Sequence, residues 1–419
     1  VIVETAYGEV EGAGGAFLGI PFARAPRFRP PLPPEPWTGV RPAREYGPAV
    51  PQLYEEELGT MLGLPAFPTD ERGCLNLNVW TPSAEGARPV MVWLPGGAFR
   101  SGAGRDPVYD GRRLAVRNDV VVVTVNYRVG PLGFLYLDEE SANVGLLDQV
   151  AALEWVRDNI AGFGGDPGDV TVFGQSAGAM SIATMLAMPA ARGLFHKAIM
   201  QSGGGEFALA RERAEAVAAE FGKTLGALSP WDAPVEELLR AQEEVGAAML
   251  ARGEGHGLPC LPVVDGTVLP VLPLEAARAG TVPELPVIVG ANDDEGRLFT
   301  MGSPDADAVA AHIAETMFAG PARRLAEALA GRGRRVWHYR FAWRSTAFGG
   351  ALGAAHSMEV PFVFDNLDAP GVTALTGPNP PQGLADRMSG TWAAFARDGA
   401  PPEPWEPFTG PGGPVATFN

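Results

Sequence analysis

The chain has 419 residues, 46% hydrophobic and 19% charged, which suffices for a large core and excludes disorder. Its formal charge is −17, and no stretch clusters Lys and Arg as phosphate binding requires, which excludes nucleic acid as a partner. No run approaches the roughly 18 apolar residues of a membrane span, and the two cysteines, Cys74 and Cys260, rule out a disulfide framework and lack metal-ligand spacing.

No metal or cofactor is expected. Two reduced thiols, and an N-terminus without a basic region before an apolar stretch, point to a cytoplasmic protein. The absence of Met at position 1 leaves a trimmed leader open. A monomer is the favoured state, with nothing in the sequence to decide it.

In chain order, residues 1–25 alternate between glycine breaks and read as short antiparallel strands capping a sheet edge. Proline crowds residues 26–51, so an extended surface segment is expected, anchored by Phe28, Pro31 and Trp37. An acidic loop with Met and Leu spans 52–73, and Leu75, Leu77, Val79 and Trp80 mark a strand. The runs 89–94 (PVMVWL) and 119–126 (DVVVVTVN) are apolar throughout, as strands buried on both faces are.

Residues 148–160 read as an amphipathic helix, 170–173 as a strand, 179–188 as a buried helix and 198–201 as a further strand. The stretch 206–250, rich in Ala, Glu and Leu, predicts two or three surface helices inserted beside the site. Strands follow at 286–290 and 336–343, and a closing helix at 388–398. Strands alternating with helices predict an α/β fold with a mostly parallel, doubly wound sheet, helices on both faces and ligands beyond the strands' C-terminal ends. No linker divides the chain, so residues 1–419 are expected to form one domain, with helical insertions at 206–250 and about 300–330 bordering the site.

The segment 163–178, FGGDPGDVTVFGQSAG, carries the chemistry. Gly174-Gln175-Ser176-Ala177-Gly178 has the GxSxG form of a nucleophile elbow, a form that also arises by chance in chains rich in Gly and Ser. Here a strand precedes it and a helix follows. Such a turn strains the serine backbone and brings helix and strand together, so the residues two before and two after must be small. It lifts Oγ clear of the chain and aims the Ala177 N–H at the same space.

The loop Pro95-Gly96-Gly97-Ala98-Phe99 follows strand 89–94 and can expose consecutive N–H groups, forming the second half of an oxyanion hole. In an α/β-hydrolase the acid and then the histidine follow the serine in the chain. Asp293, Asp294 and Glu295 follow strand 286–290, and each is a candidate acid. Of the five histidines, the order leaves His312, His338 and His356. His312 sits in a helix-like run and His338 inside a strand, whereas His356 lies in a loop able to deliver an imidazole.

The sequence resembles the type-B carboxylesterase family of α/β-hydrolases, which includes bacterial p-nitrobenzyl-type esterases and cholinesterases. The likeness runs nearly end to end, through GIPFARAP, CLNLNVWTP, VWLPGGAF, NYRVGPLGF, the segment from NVGLLDQV to FGQSAG, MQSG, NDDEG and HSMEVPFVF. It implies Ser176 as nucleophile, Glu295 as acid, His356 as base and the N–H groups of Gly97, Ala98 and Ala177 as oxyanion donors. It further implies that Ser202 supports the acid indirectly and that Glu359 lies near the base. Pro95 departs from the family's His or Tyr, Val50 stands where a cysteine would pair with Cys74, and the segment between Glu295 and His356 is short, implying a more open site.

The expected activity is therefore hydrolysis of small carboxylic esters, with short to medium acyl chains, through a Ser-His-Glu triad and a covalent acyl-enzyme. An amidase or carbamate hydrolase would use the same triad. A non-catalytic binding protein of this fold would typically lack one of its members. For choline esters, the 52–73 loop offers no tryptophan to stack on a quaternary ammonium.

Overall fold

The apolar runs become parallel strands, and their alternate residues show why. The computed structural model describes residues 1–54, 66–301 and 305–419. Residues 55–65, half of the 52–73 loop, therefore lie outside the described residues. Among those described, nine strands make one sheet: β1 (Ala16–Pro21), β2 (Asn76–Trp80), β3 (Arg88–Leu94), β4 (Val121–Val125), β5 (Gly165–Gln175), β6 (Lys197–Gln201), β7 (Val287–Asn292), β8 (Val336–Phe341) and β9 (Val415–Phe418).

Their spatial order is β9-β8-β7-β6-β5-β3-β4-β2-β1. Neighbours from β9 through β4 are parallel, β2 is antiparallel to β4, and β1 is antiparallel to β2. In β3, Val90, Val92 and Leu94 enter one core cluster while Met91 and Trp93 enter the other. Both faces of the strand are thus buried, as a parallel sheet requires.

Helices cover each face. α1 (Val144–Asn159), α2 (Ala177–Ala187), α3 (Arg211–Leu225) and α4 (Val235–Ala251) contribute Leu153, Ile182, Val217 and Leu238 to the first cluster. After α5 (Ala306–Ile313), α6 (Ala319–Ala330) adds Leu325 and Leu329. α7 (Gln382–Asp398) packs on the opposite face through Leu384, Met388 and Trp392.

Among the elements not anticipated are the helix Arg112–Asn118, the short helix Val360–Phe364 and strand β9. All five residues of VPFVF are buried, and Pro361 stands in the first turn, where a helix tolerates proline. β9 is four residues long and exists through its pairing with β8, a non-local partner that no local pattern announces. At the N-terminus, Ile2–Thr5 and Gly8–Glu11 form an antiparallel hairpin extended by Val40–Pro42, while β1 joins the edge of the large sheet. Of the expected proline-segment anchors Phe28 is buried, whereas Pro31 and Trp37 are half-buried.

Candidate active site

β3 and β5 are neighbours in register, with Leu94 opposite Gly174, so the loop after β3 and the turn after β5 leave the sheet side by side. Ser176 occupies that turn with φ 56° and ψ −124°, outside the regions open to ordinary residues. The tightness of the turn is measurable. A Cβ on Gly174 would stand 2.8 Å from the Gly178 carbonyl carbon, and one on Gly178 would stand 1.9 Å from Leu94 O. Only glycine fits either place. The backbone is held further by Ser176 N–H donating to Gln201 O at 2.8 Å, which ties the elbow to β6.

The upstream loop packs directly on the serine, since a Cβ on Gly96 would lie 3.2 Å from Ser176 Cβ. Gly97 and Ala98 have φ of 121° and 55°. The N–H groups of Gly97, Ala98 and Ala177 donate to no acceptor among the described residues. Pro95 leaves this loop well held without a His or Tyr side chain. Its carbonyl accepts the Tyr127 hydroxyl at 2.6 Å, and Gly97 O accepts the N–H groups of Arg100 and Ser101, both at 3.0 Å.

The three adjacent carboxylates after β7 separate in space. Asp293 meets Arg340 at 2.9 Å, and Asp294 accepts from Arg344 at 2.7 Å and from Ala354 N–H at 2.9 Å. Glu295 alone turns to His356, with Oε2 2.5 Å from Nδ1. Its Oε1 accepts the Asn292 N–H at 2.7 Å, and the carboxylate is fully buried. With Nδ1–H donating to Glu295, Nε2 carries the free lone pair. Ser176 and His356 are 7% and 6% exposed, and no hydrogen bond joins Oγ to the imidazole. Such bonds are often long in a substrate-free site. His312 is exposed on α5, and His338 is occupied by Val289 O at 2.8 Å.

Ser202 and Glu359 do not touch the triad candidates by hydrogen bonds. Ser202 Oγ is buried without a partner among the described residues. Glu359 accepts from Asn292 Nδ2 at 2.7 Å and Gln201 Nε2 at 3.0 Å. Burial, followed by the charge of Glu295, pushes its carboxyl above the usual range. Asn292 is the junction that sequence reading missed: its Nδ2 also donates to Ala355 O at 2.7 Å, so its backbone N–H holds Glu295 while its side chain joins Glu359 to the loop that carries His356.

Phe318 and Gln175 were missed as well. Phe318 lies against His356 with ring centroids 4.0 Å apart, and Phe299, 54% exposed, flanks the imidazole at 5.5 Å. Gln175 sits inside the GxSxG motif, but as an unspecified position it carries no signal of its own.

Two cavities lie along the Pro95–Phe99 loop, and the first of them reaches the elbow at Gln175. One of about 400 Å³ is lined by Gly96, Gly97, Asp106, Tyr109, Gln175 and Ser357. The other, of about 140 Å³, is lined by Ala98, Gln242, Ala247, Leu250 and Leu258.

The sequence model of the carboxylesterase family matches residues 1–311 and 302–419. The chain is 38% identical over 453 residues to the para-nitrobenzyl esterase of Bacillus subtilis (strain 168), covering 96% of this chain and 90% of that protein. It is also 38% identical to the fumonisin B1 esterase of Sphingopyxis macrogoltabida, covering 96% and 82%. Among solved structures, a PNB esterase superposes with a TM-score of 0.89 at 36% identity over 100% of this chain and 95% of the other. A carboxylesterase of Geobacillus stearothermophilus gives 0.85 at 36% identity over 100% and 96%. The parallel sheet with helices on both faces is the α/β-hydrolase fold of these neighbours. The chain belongs to the carboxylesterase family and is a carboxylic ester hydrolase.

Proposed function

We propose that ester hydrolysis proceeds through Ser176, His356 and Glu295 and a covalent acyl-enzyme. His356 Nε2 takes the Ser176 proton as Oγ attacks the ester carbonyl, then hands it to the leaving alcohol. Glu295 holds the tautomer and stabilises the imidazolium. The N–H groups of Gly97, Ala98 and Ala177 receive the developing oxyanion. Water repeats the attack on the acyl-enzyme and frees the acid.

The observation that carries this reading is the 2.5 Å contact of Glu295 with Nδ1, which leaves Nε2 as the acceptor beside a strained serine elbow. Ser176→Ala should lower turnover of a short-chain p-nitrophenyl ester by about 10⁶; near-normal turnover in that variant would sink the assignment.

Short to medium acyl groups suit the 140 Å³ cavity beside Ala98, a volume close to that of cavities which admit a benzene ring (about 150 Å³). A single domain spanning 1–419 is favoured by the way both inserted regions border the site. Gln242 of α4 lines both cavities, and Phe318, just before α6, packs on His356. Free, buried Cys74 and Cys260 accord with a cytoplasmic protein.

A further inference from the structure

We propose that Gln175, acting with Phe318, is a positioning residue that clamps the plane of the His356 imidazole; this rests on the triad reading above. The argument begins with two distances. Gln175 Nε2 lies 3.0 Å from Nε2 of His356 and 3.5 Å from Nδ1. Those nitrogens flank a single ring carbon. A group in the ring plane at both distances would collide with that carbon or, on the other side, with the rest of the ring. The amide nitrogen therefore stands over the face of the imidazole, off the lone-pair axis of Nε2. The contact covers the ring without consuming the base.

Phe318 covers a face too, with centroids 4.0 Å apart and planes 31° apart. A phenyl ring and an amide at these separations would overlap on one side, so they occupy opposite faces. Glu295 meets the edge at Nδ1. The faces block tilting, the carboxylate blocks rotation within the plane, and the Nε2 edge remains for the serine proton.

Local structure explains both arms. Gln175 is the last residue of β5, immediately before the strained Ser176, and its side chain is 3% exposed. Phe318 ends a π-helical turn, Ala314–Phe318, and has φ −128° and ψ −80°, a break in the helix that turns the ring out of its regular path. Gln175 is also at the wall of the larger cavity, so the clamp adjoins the space where substrate is held.

The test uses the full chain with Gln175→Ala, Gln175→Met, Phe318→Leu and the Gln175→Ala/Phe318→Leu double variant, each checked for a native melting profile. On a short p-nitrophenyl ester, Gln175→Ala should lower kcat about tenfold with KM within about twofold, because misplacing a reacting group costs rate rather than affinity. Gln175→Met, which refills the space over the ring, should recover most of that loss. The double variant should lose clearly less than the product of the single losses, since both side chains act through one ring. The downfield proton signal of the Nδ1–H bond to Glu295 should broaden in Gln175→Ala and sharpen again in Gln175→Met.

Wild-type kcat in Gln175→Ala, a loss confined to KM, a Met variant as slow as the Ala variant, or multiplicative single losses would each overturn the clamp. Adding Ser176→Ala separates the two readings. If it abolishes activity while the Gln175 variants behave as wild type, only the clamp falls. If activity survives it, the triad reading falls first.

Discussion

Glu295 Oε2 stands 2.5 Å from His356 Nδ1, and the carboxylate that makes this contact is completely removed from solvent. Its second oxygen is filled by the Asn292 N–H, so the acid is held from both sides. An amide at this position keeps the shape but can present its NH₂ to the ring and select the wrong tautomer. Glu295→Gln should therefore lower kcat by about 10⁴ with the fold intact. Steady-state kinetics on a p-nitrophenyl ester, with circular dichroism as the control, will measure it; a loss below about tenfold would remove Glu295 from its proposed role.

The small cavity sets an expectation on substrate size. At about 140 Å³ and lined in part by Ala98, Ala247, Leu250 and Leu258, it matches a short chain in volume. Across a series of p-nitrophenyl esters, kcat/KM should drop by about tenfold or more between hexanoate and decanoate, because overfilling a packed pocket costs roughly 1–3 kcal/mol. A flat profile through decanoate would show that this cavity does not receive the acyl chain.

Gly178 is a stability prediction. A methyl group there would lie 1.9 Å from Leu94 O, backbone that belongs to the central strand β3 and cannot move aside. Gly178→Ala should cost about 3 kcal/mol or more. Thermal melting of the variant beside the wild type measures this, and an unchanged melting temperature would mean the elbow is looser than these distances state.

Asp106 makes stability depend on pH. Burial pushes its carboxyl from the ordinary 3.8 up to about 6, against a weaker lowering by the Val108 N–H it accepts. Because the folded state binds this proton more tightly than the unfolded chain, the contribution is fully present below the unfolded value and is lost as pH rises through about 6. Asparagine keeps the cap on the Pro107–Tyr109 turn and carries no charge. Asp106→Asn should therefore gain stability relative to wild type between about pH 4 and about pH 8. Denaturation midpoints of the two proteins at both pH values test it, and a constant difference would contradict the burial argument.

The serine elbow was legible in the sequence because everything that defines it is local. The strand before it, the helix after it and glycines at 174 and 178 are all read within a dozen residues, and the steric limits they imply are those measured in the turn. The parallel sheet was legible for a related reason, since doubly apolar runs such as 89–94 can be satisfied only between two covered faces. What was not legible depends on contacts between distant segments. Three neighbouring carboxylates are chemically alike in the chain; Arg340 and Arg344, beyond β7, draw Asp293 and Asp294 aside and leave Glu295 to the imidazole. Asn292 as a brace, and Gln175 and Phe318 against His356, likewise arise only when the ends of β5 and β7 and the turn before α6 converge. Local pattern determined where the strained serine stands; packing across the sheet's C-terminal edge decided what holds His356, because side-chain orientation is set by neighbours that sequence distance does not encode.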